Sequence, residues 1–256
     1  MLTVAVLTVA APGVRAVASV GRPEAGRPPI AAGAEPVTIP VGETLEDDLI
    51  VTADQGVSVH GTLAGDLILL GPEAVITGTV EGDVIGYSER VRISGTVLGD
   101  VRVLSIDSVV IEGRVGRSAI TVSQRAILSP GAEIGTTWIA LAGDLELSGA
   151  VRRSLLAATD TLTVAGEVGG DLRIHGYEKA RVLPGAVVRG DVVAVGSEPP
   201  VIDAGATVGE VRFTAEEDEM RPRLTMDGFA IWRLAGFLVI GLLVTWLAPG
   251  LLSSFH

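Results

Sequence analysis

The chain has no cysteine, a single lysine (Lys179) and only 4 % aromatic residues in 256. Without cysteine there is no disulfide, no thiolate metal site, no cysteine nucleophile and no lipid-modified cysteine. That absence leaves the compartment open. A formal net charge of −12, a pI near 4.7 and the lack of lysine remove the basic stripe that counterion release needs, and nucleic-acid binding goes with it. Nucleotide-driven assembly is also set aside, because Tyr177-Glu178-Lys179-Ala180 lacks the glycine cradle of a phosphate-binding loop. With so few large rings, the core must be built from Val, Ile, Leu and Ala in thin, regular layers.

What the chain does have is a recurring phrase. It reads Gly61-Thr62-Leu63-Ala64-Gly65-Asp66-Leu67, then Gly78-Thr79-Val80-Glu81-Gly82-Asp83-Val84, then Gly95-Thr96-Val97-Leu98-Gly99-Asp100-Val101, with later copies ending in Gly170-Asp171 and Gly190-Asp191. The second glycine falls at Gly65, Gly82, Gly99, Gly116 and Gly135, with Arg153 in its place once, then at Gly170, Gly190 and Gly209. The steps are 17 to 20 residues. A step that short is one supersecondary turn rather than a domain.

Between the phrases lie short alternating bursts such as Val57-Ser58-Val59, Val91-Arg92-Ile93 and Leu162-Thr163-Val164. Period-two alternation is the signature of a strand with one face buried. Three such strands and three corners fill one step, which predicts an all-β, single-stranded β-helix of about ten triangular coils of 17–20 residues over 42–213. Coils stacked about 4.8 Å apart would make a rod about 45 Å long. Each coil depends on its neighbours for ladder bonds and core, so both end coils must be capped or must pair.

Both ends of the chain differ from this array. Residues 1–20 read as a signal peptide or an N-terminal apolar anchor, and 21–41, rich in Pro, Gly and Ala, as a linker. After the array, 214–230 reads as a charged hinge and 231–253 as a transmembrane helix. Its chargeless run 234–252 spans about 28 Å, and Trp232 and Trp246 lie toward its ends. Past His256 a continuation with further spans is expected. Arg221, Arg223 and Arg233 favour a cytoplasmic rod and the leader favours export; the expectation is a membrane-anchored chain with its β-helix outside the cytoplasm.

The phrase Gly-Thr-Val-x-Gly-Asp-Val at this step, opened by Val37-Thr38-Ile39-Pro40-Val41-Gly42-Glu43-Thr44-Leu45, resembles the bactofilins, a family of polymer-forming bacterial cytoskeletal proteins, and in particular their exported, membrane-anchored relatives. The resemblance covers 42–213. It implies a right-handed β-helix that forms filaments end to end without nucleotide.

Three sets of residues are candidates for chemistry. The Gly-Asp corners place Asp48, Asp66, Asp83, Asp100, Asp171, Asp191 and Glu210 in one register. Asp66, Asp83 and Asp100 are the candidate ligands of a cation ladder. The favoured reading of Gly65-Asp66, Gly82-Asp83, Gly99-Asp100, Gly170-Asp171 and Gly190-Asp191 is a structural turn in which Asp accepts local backbone N–H groups and Gly supplies a positive φ. Arg117, Thr136 and Ser154 interrupt the register. His60 and His175 are the only histidines of the array and the candidate general bases of a hexapeptide-type acyltransferase, whose rule Leu63, Leu69 and Val75 obey and Glu81 breaks. Arg152-Arg153 is a solvated corner or a docking point.

These readings add up to a non-enzymatic scaffold without cofactor that self-associates and organises cell-envelope components. The alternatives are a monomeric rod that binds an envelope polysaccharide or protein, and the acyltransferase.

Overall fold

The computed structural model describes residues 30–215 except 34, 35, 54 and 55. Within them the chain is an all-β parallel solenoid of about ten turns. A regular coil contributes one strand of ten residues, such as Leu67–Ile76, and one of two, such as Thr79–Val80. Every pairing is parallel and joins a strand to its counterpart one coil away. The long strands and the shorter strands in their place at the ends form one sheet, and the two-residue strands from Thr44–Leu45 to Val187–Val188 form the other. Strands Ile30–Gly33 and Val37–Ile39 pair with Leu49–Ala53 and Val57–Val59, so the stretch 21–41, read from composition as a linker, contains two strands of the array. Residues 1–20 and 231–253 lie outside the described residues, as does 214–230 beyond Thr214 and Ala215, which end the strand Val211–Ala215. Among the described residues no helix is long and apolar enough to cross a membrane.

The strand pattern follows from which side chains point inward. In the coil after Leu63 the buried positions are Leu67, Leu69, Ala74, Ile76 and Val80. Inward residues change from odd to even numbers midway along Leu67–Ile76, which turns one long strand into two walls of the coil. Val75, which fits a six-residue rule, is only half-buried, and the buried residues on either side of it are Ala74 and Ile76. At the change of wall sit small residues: Gly71 pairs with Ser88, Ser88 with Ser105, Ser123 with Ala142 and Ala142 with Thr159. Their buried hydroxyls serve carbonyls that the bend frees. Ser88 Oγ donates to Arg90 O at 2.9 Å, Ser123 Oγ to Arg125 O at 3.0 Å, and Thr159 Oγ1 to Gly143 O at 2.9 Å.

Two rings do enter the aliphatic core. Trp138 and Tyr177 are fully buried. Trp138 shares its column with Ala119 one coil earlier and has Ala140 beside it, so small neighbours release the volume the indole fills, and its Nε1 donates to Thr121 Oγ1 at 3.0 Å. Tyr177 lies where a side chain on Gly196 would stand, and its hydroxyl donates to Glu198 O at 2.7 Å. Burial raises its pKa.

Variation in coil length has local causes. The plain step is 17, as between Thr79 and Thr96. An extra residue between Ser105 and Ser108 shifts the register of Val101–Ile111 by one. Two more enter as the turn Ser129-Pro130-Gly131-Ala132, closed by Ala132 N donating to Ser129 O at 3.0 Å with Gly131 at φ 82°, and two as Leu183-Pro184-Gly185-Ala186, with Gly185 at φ 85°. Pro then Gly at the centre is the type II arrangement, in which only glycine meets the positive φ without strain.

At Gly61, Gly78, Gly95 and Gly166 the first glycine of the phrase has no positive φ. It is required for close approach. A Cβ on Gly78 would stand 2.0 Å from the carbonyl oxygen of Gly61, and on Gly95 2.0 Å from that of Gly78. We expect Gly78→Ala to cost about 2 kcal/mol or more, because both obstructing groups are backbone and cannot swing aside. Urea unfolding of this variant beside Thr79→Ala, which should lie within about 1 kcal/mol of the parent, checks the claim.

Candidate interaction corners

The Gly-Asp corner is built across coils. Asp48 Oδ1 accepts the N–H of Asp66 at 2.7 Å, Asp66 Oδ1 that of Asp83 at 2.7 Å, Asp83 Oδ1 that of Asp100 at 2.8 Å, and Asp100 Oδ1 that of Ser118 at 2.8 Å. After a gap the pattern resumes from Asp171 to Asp191 and from Asp191 to Glu210, each at 3.2 Å. Gly65, Gly82, Gly99, Gly170 and Gly190 have no positive φ. The local turn expected from sequence is thus replaced by a contact between coils. Each carboxylate occupies the place of the missing side chain: a Cβ on Gly82 would meet Asp66 Oδ1 at 2.1 Å, on Gly99 Asp83 Oδ1 at 2.3 Å, and on Gly190 Asp171 Oδ1 at 2.4 Å. Glycine and aspartate recur together because each Asp needs the Gly of the next coil.

The register differs from the sequence reading in the middle coils. Ser118 N bonds Asp100 as Asp100 N bonds Asp83, and Arg114 pairs with Glu133. The residues in the aspartate position are therefore Ser118, Thr137 and Ser154, with Arg117, Thr136 and Arg153 in the glycine position. Gly116 and Gly135 fall one place earlier than the spacing indicates, because the residue inserted before Ser108 moves the frame by one. Arg117, which stands above Asp100, departs from the Gly-Asp pairing. Ser118 Oγ and Thr136 Oγ1 share a hydrogen bond of 2.7 Å where the carboxylates stop.

In the candidate cation ladder both carboxylate oxygens of Asp83 and Asp100, and Oδ1 of Asp66, already have partners. Arg102 bridges Asp83 Oδ2 at 2.7 Å and Asp100 Oδ2 at 2.6 Å, Arg173 pairs with Asp171, and Arg212 with Asp191 and Glu210. Among the described residues no three His, Asp or Glu side chains gather as a metal site. Asp83 lies below its ordinary carboxylate pKa: burial pushes it up, and the Asp100 N–H with Arg102 more than offsets this. Asp171 is lowered by the Asp191 N–H and Arg173, and Glu210 by Arg212.

The two histidines are not brought together. His60 Nδ1 shares a hydrogen bond of 2.7 Å with Thr77 Oγ1 in the corner before a short strand. His175 lies exposed on the outer face of Leu172–Tyr177, in register between Ala158 and Val195 several coils away.

One concavity was not visible in the spacing. The Pro-Gly turns at Gly131 and Gly185 stand proud of two plain coils that pass through Gly149 and Gly166, leaving a shallow, open groove of about 340 Å³. It is two plain coils wide. Glu133, which takes ion pairs from Arg152 and Arg114, and Glu167, paired with Arg189 at 2.9 Å, are charged residues of this corner. The Arg152 hydrogen bond holds Glu133 below the ordinary carboxylate range. Arg152 is thus engaged within the rod. The signal for the groove was the pair of Pro-Gly dipeptides on either side of coils that lack them.

Comparison of the chain with protein-family models, with curated proteins and with solved structures gave no match in any of the three.

Two outcomes follow from the corner geometry. Asp66→Ala frees the Asp83 N–H at a cost of about 1–2 kcal/mol, and Gly82→Ala drives a methyl onto the same carboxylate. The double variant should fall short of the sum of the single losses by at least about 0.5 kcal/mol in denaturant titrations. The lowered carboxylates bind fewer protons folded than unfolded, so their stabilisation is complete above about pH 5 and is lost as pH falls through the unfolded and then the depressed folded values. Urea midpoints should change little between pH 7 and 5 on account of these groups and drop steadily below pH 4, less steeply in Asp83→Asn.

Proposed function

We propose that this chain is a non-enzymatic, membrane-anchored scaffold whose right-handed β-helix self-associates end to end, as bactofilin-type polymers do, outside the cytoplasm, and organises components of the cell envelope. The run 231–253 is its transmembrane anchor. The observation that supports self-association is the condition of the last coil. Val211 is 43 % exposed, and Ile202, Val208 and Phe213 are only partly covered, although the residues beneath them, Val192, Val182, Val188 and Ala194, are buried. Among the described residues the strand Val211–Ala215 pairs with a neighbour on one side only. A further coil from another molecule would satisfy both the apolar cross-section and the free backbone edge. The bactofilin resemblance of the repeat phrase favours the same end.

A second reading, a monomeric module that binds an envelope polysaccharide or protein, is favoured by the groove between Gly131 and Gly185. The two separate by assembly state. In the full chain in detergent, sedimentation and electron microscopy across concentration should show filaments, and Val211→Asp with Phe213→Asp should weaken association at least tenfold. Monomers persisting at high concentration would favour the groove. Protease accessibility of the rod in intact cells tests its location.

A further inference from the structure

The outward side of the first wall of the coils, from the Asp corners to the bend, is apolar along most of the solenoid. One outward column runs Ile50, Ile68, Ile85, then Ile120, Ile139 and Leu156 after Arg102. The parallel column runs Leu70, Tyr87, Leu104, Val122 and Leu141. Leu70 is 39 % exposed, Ile120 37 % and Leu141 45 %. The other walls differ: the outward column of short strands begins Thr44, Thr62, Thr79, Thr96, Arg114 and Glu133. The cations in the apolar strip, Arg102, Arg173 and Arg212, pair with aspartates of the adjacent corner.

We propose that this strip is a lateral interface through which two copies of the chain pair face to face. A parallel sheet ordinarily has both faces covered, and patches of this extent on a soluble surface mark contacts. Five residues of width and the six coil spacings from Ile50 to Leu156 give about 16 Å by about 29 Å. That is roughly 460 Å² a side and about 900 Å² for the pair, the size of a small, transient contact. The margins argue for a second copy against an anionic lipid surface. One is the aspartate ladder with Arg102, Arg173 and Arg212, and the other interleaves Glu73, Arg90, Asp107, Arg125 and Asp144, so both margins carry charges of both signs, which a second copy can match and a uniformly anionic lipid surface cannot. A second copy offers a strip of identical length and pleat. No corner insertion interrupts this wall, since both Pro-Gly turns leave from the corner beyond the second wall. Lateral pairing does not require the end-to-end contact proposed above.

The absence of cysteine makes the test direct. In the full chain, Ile120→Cys near the middle of the strip should give a covalent dimer with a bis-maleimide of about 10 Å span, the spacing of packed sheets. Thr79→Cys on the hydroxyl-bearing wall should give at least tenfold less. Leu70→Lys with Leu141→Lys should abolish the Ile120→Cys dimer while the circular dichroism and urea midpoint stay near those of the parent. Phe213→Asp should leave it intact, which separates this contact from the end contact. Equal crosslinking from Ile120 and Thr79, or a dimer that survives both lysines in a folded chain, would overturn the proposal. So would release of the rod from anionic vesicles by the lysine variants without any Ile120 crosslink, an outcome that makes the strip a lipid face.

Discussion

Parallel strands that hydrogen-bond coil to coil set a fixed spacing of about 4.8 Å, and at each corner the chain must turn within it. At two consecutive corners the glycines of the phrase leave no room for a side chain. At the phrase's first glycine the obstacle is the carbonyl of the coil below, as for Gly78 over Gly61. At the second it is a carboxylate placed there to accept a backbone N–H, as for Gly82 over Asp66. At the third corner, within the long strand, small residues fill the bend and their hydroxyls reach carbonyls that the changing direction leaves free. Glycine, aspartate and serine are three responses to one spacing.

Much of this was legible in the sequence, because a solenoid writes its geometry as period. The step of 17, the alternating bursts and the recurrence of Gly with Asp were enough to predict stacked three-walled coils over 42–213. What escaped depends on contacts between coils, and no single coil displays those. Asp66 looks like a local turn residue until Asp83 N is placed above it. Gly116 and Gly135 stand one place out of frame because one residue added before Ser108 shifts the pairing without changing the appearance of the phrase. Trp138 and Tyr177 were uninformative by type, and their burial depends on Ala119, Ala140 and Gly196 making space.

The apolar outer wall did leave a trace in the sequence. A half-exposed strand alternates, and Leu67-Ile68-Leu69-Leu70, Trp138-Ile139-Ala140-Leu141 and Leu155-Leu156-Ala157-Ala158 do not. Such uninterrupted runs belong to strands covered on both faces. The alternating bursts, Val91-Arg92-Ile93 among them, come from the second wall, whose outward column sets Ser58, Arg92, Glu146, Thr163 and Arg181 among Val75, Val110 and Ile127.

The distribution of irregularities favours the faces of the rod over its corners as sites of association. Both Pro-Gly turns enter between the second wall and the short strand, and the inserted residue of Val101–Ile111 enters at the bend. Neither disturbs the row from Ile50 to Leu156. An added residue in that row would invert every side chain beyond it and turn core into surface, so its register is held by the interior whatever happens outside. A flat outer wall is therefore a free consequence of a well-packed inner one, but its apolar character is not. Thr, Glu and Arg on the short-strand wall show that the same scaffold accepts polar residues outward, and isoleucine and leucine persist on the first wall at a cost in solubility that a covering partner would remove.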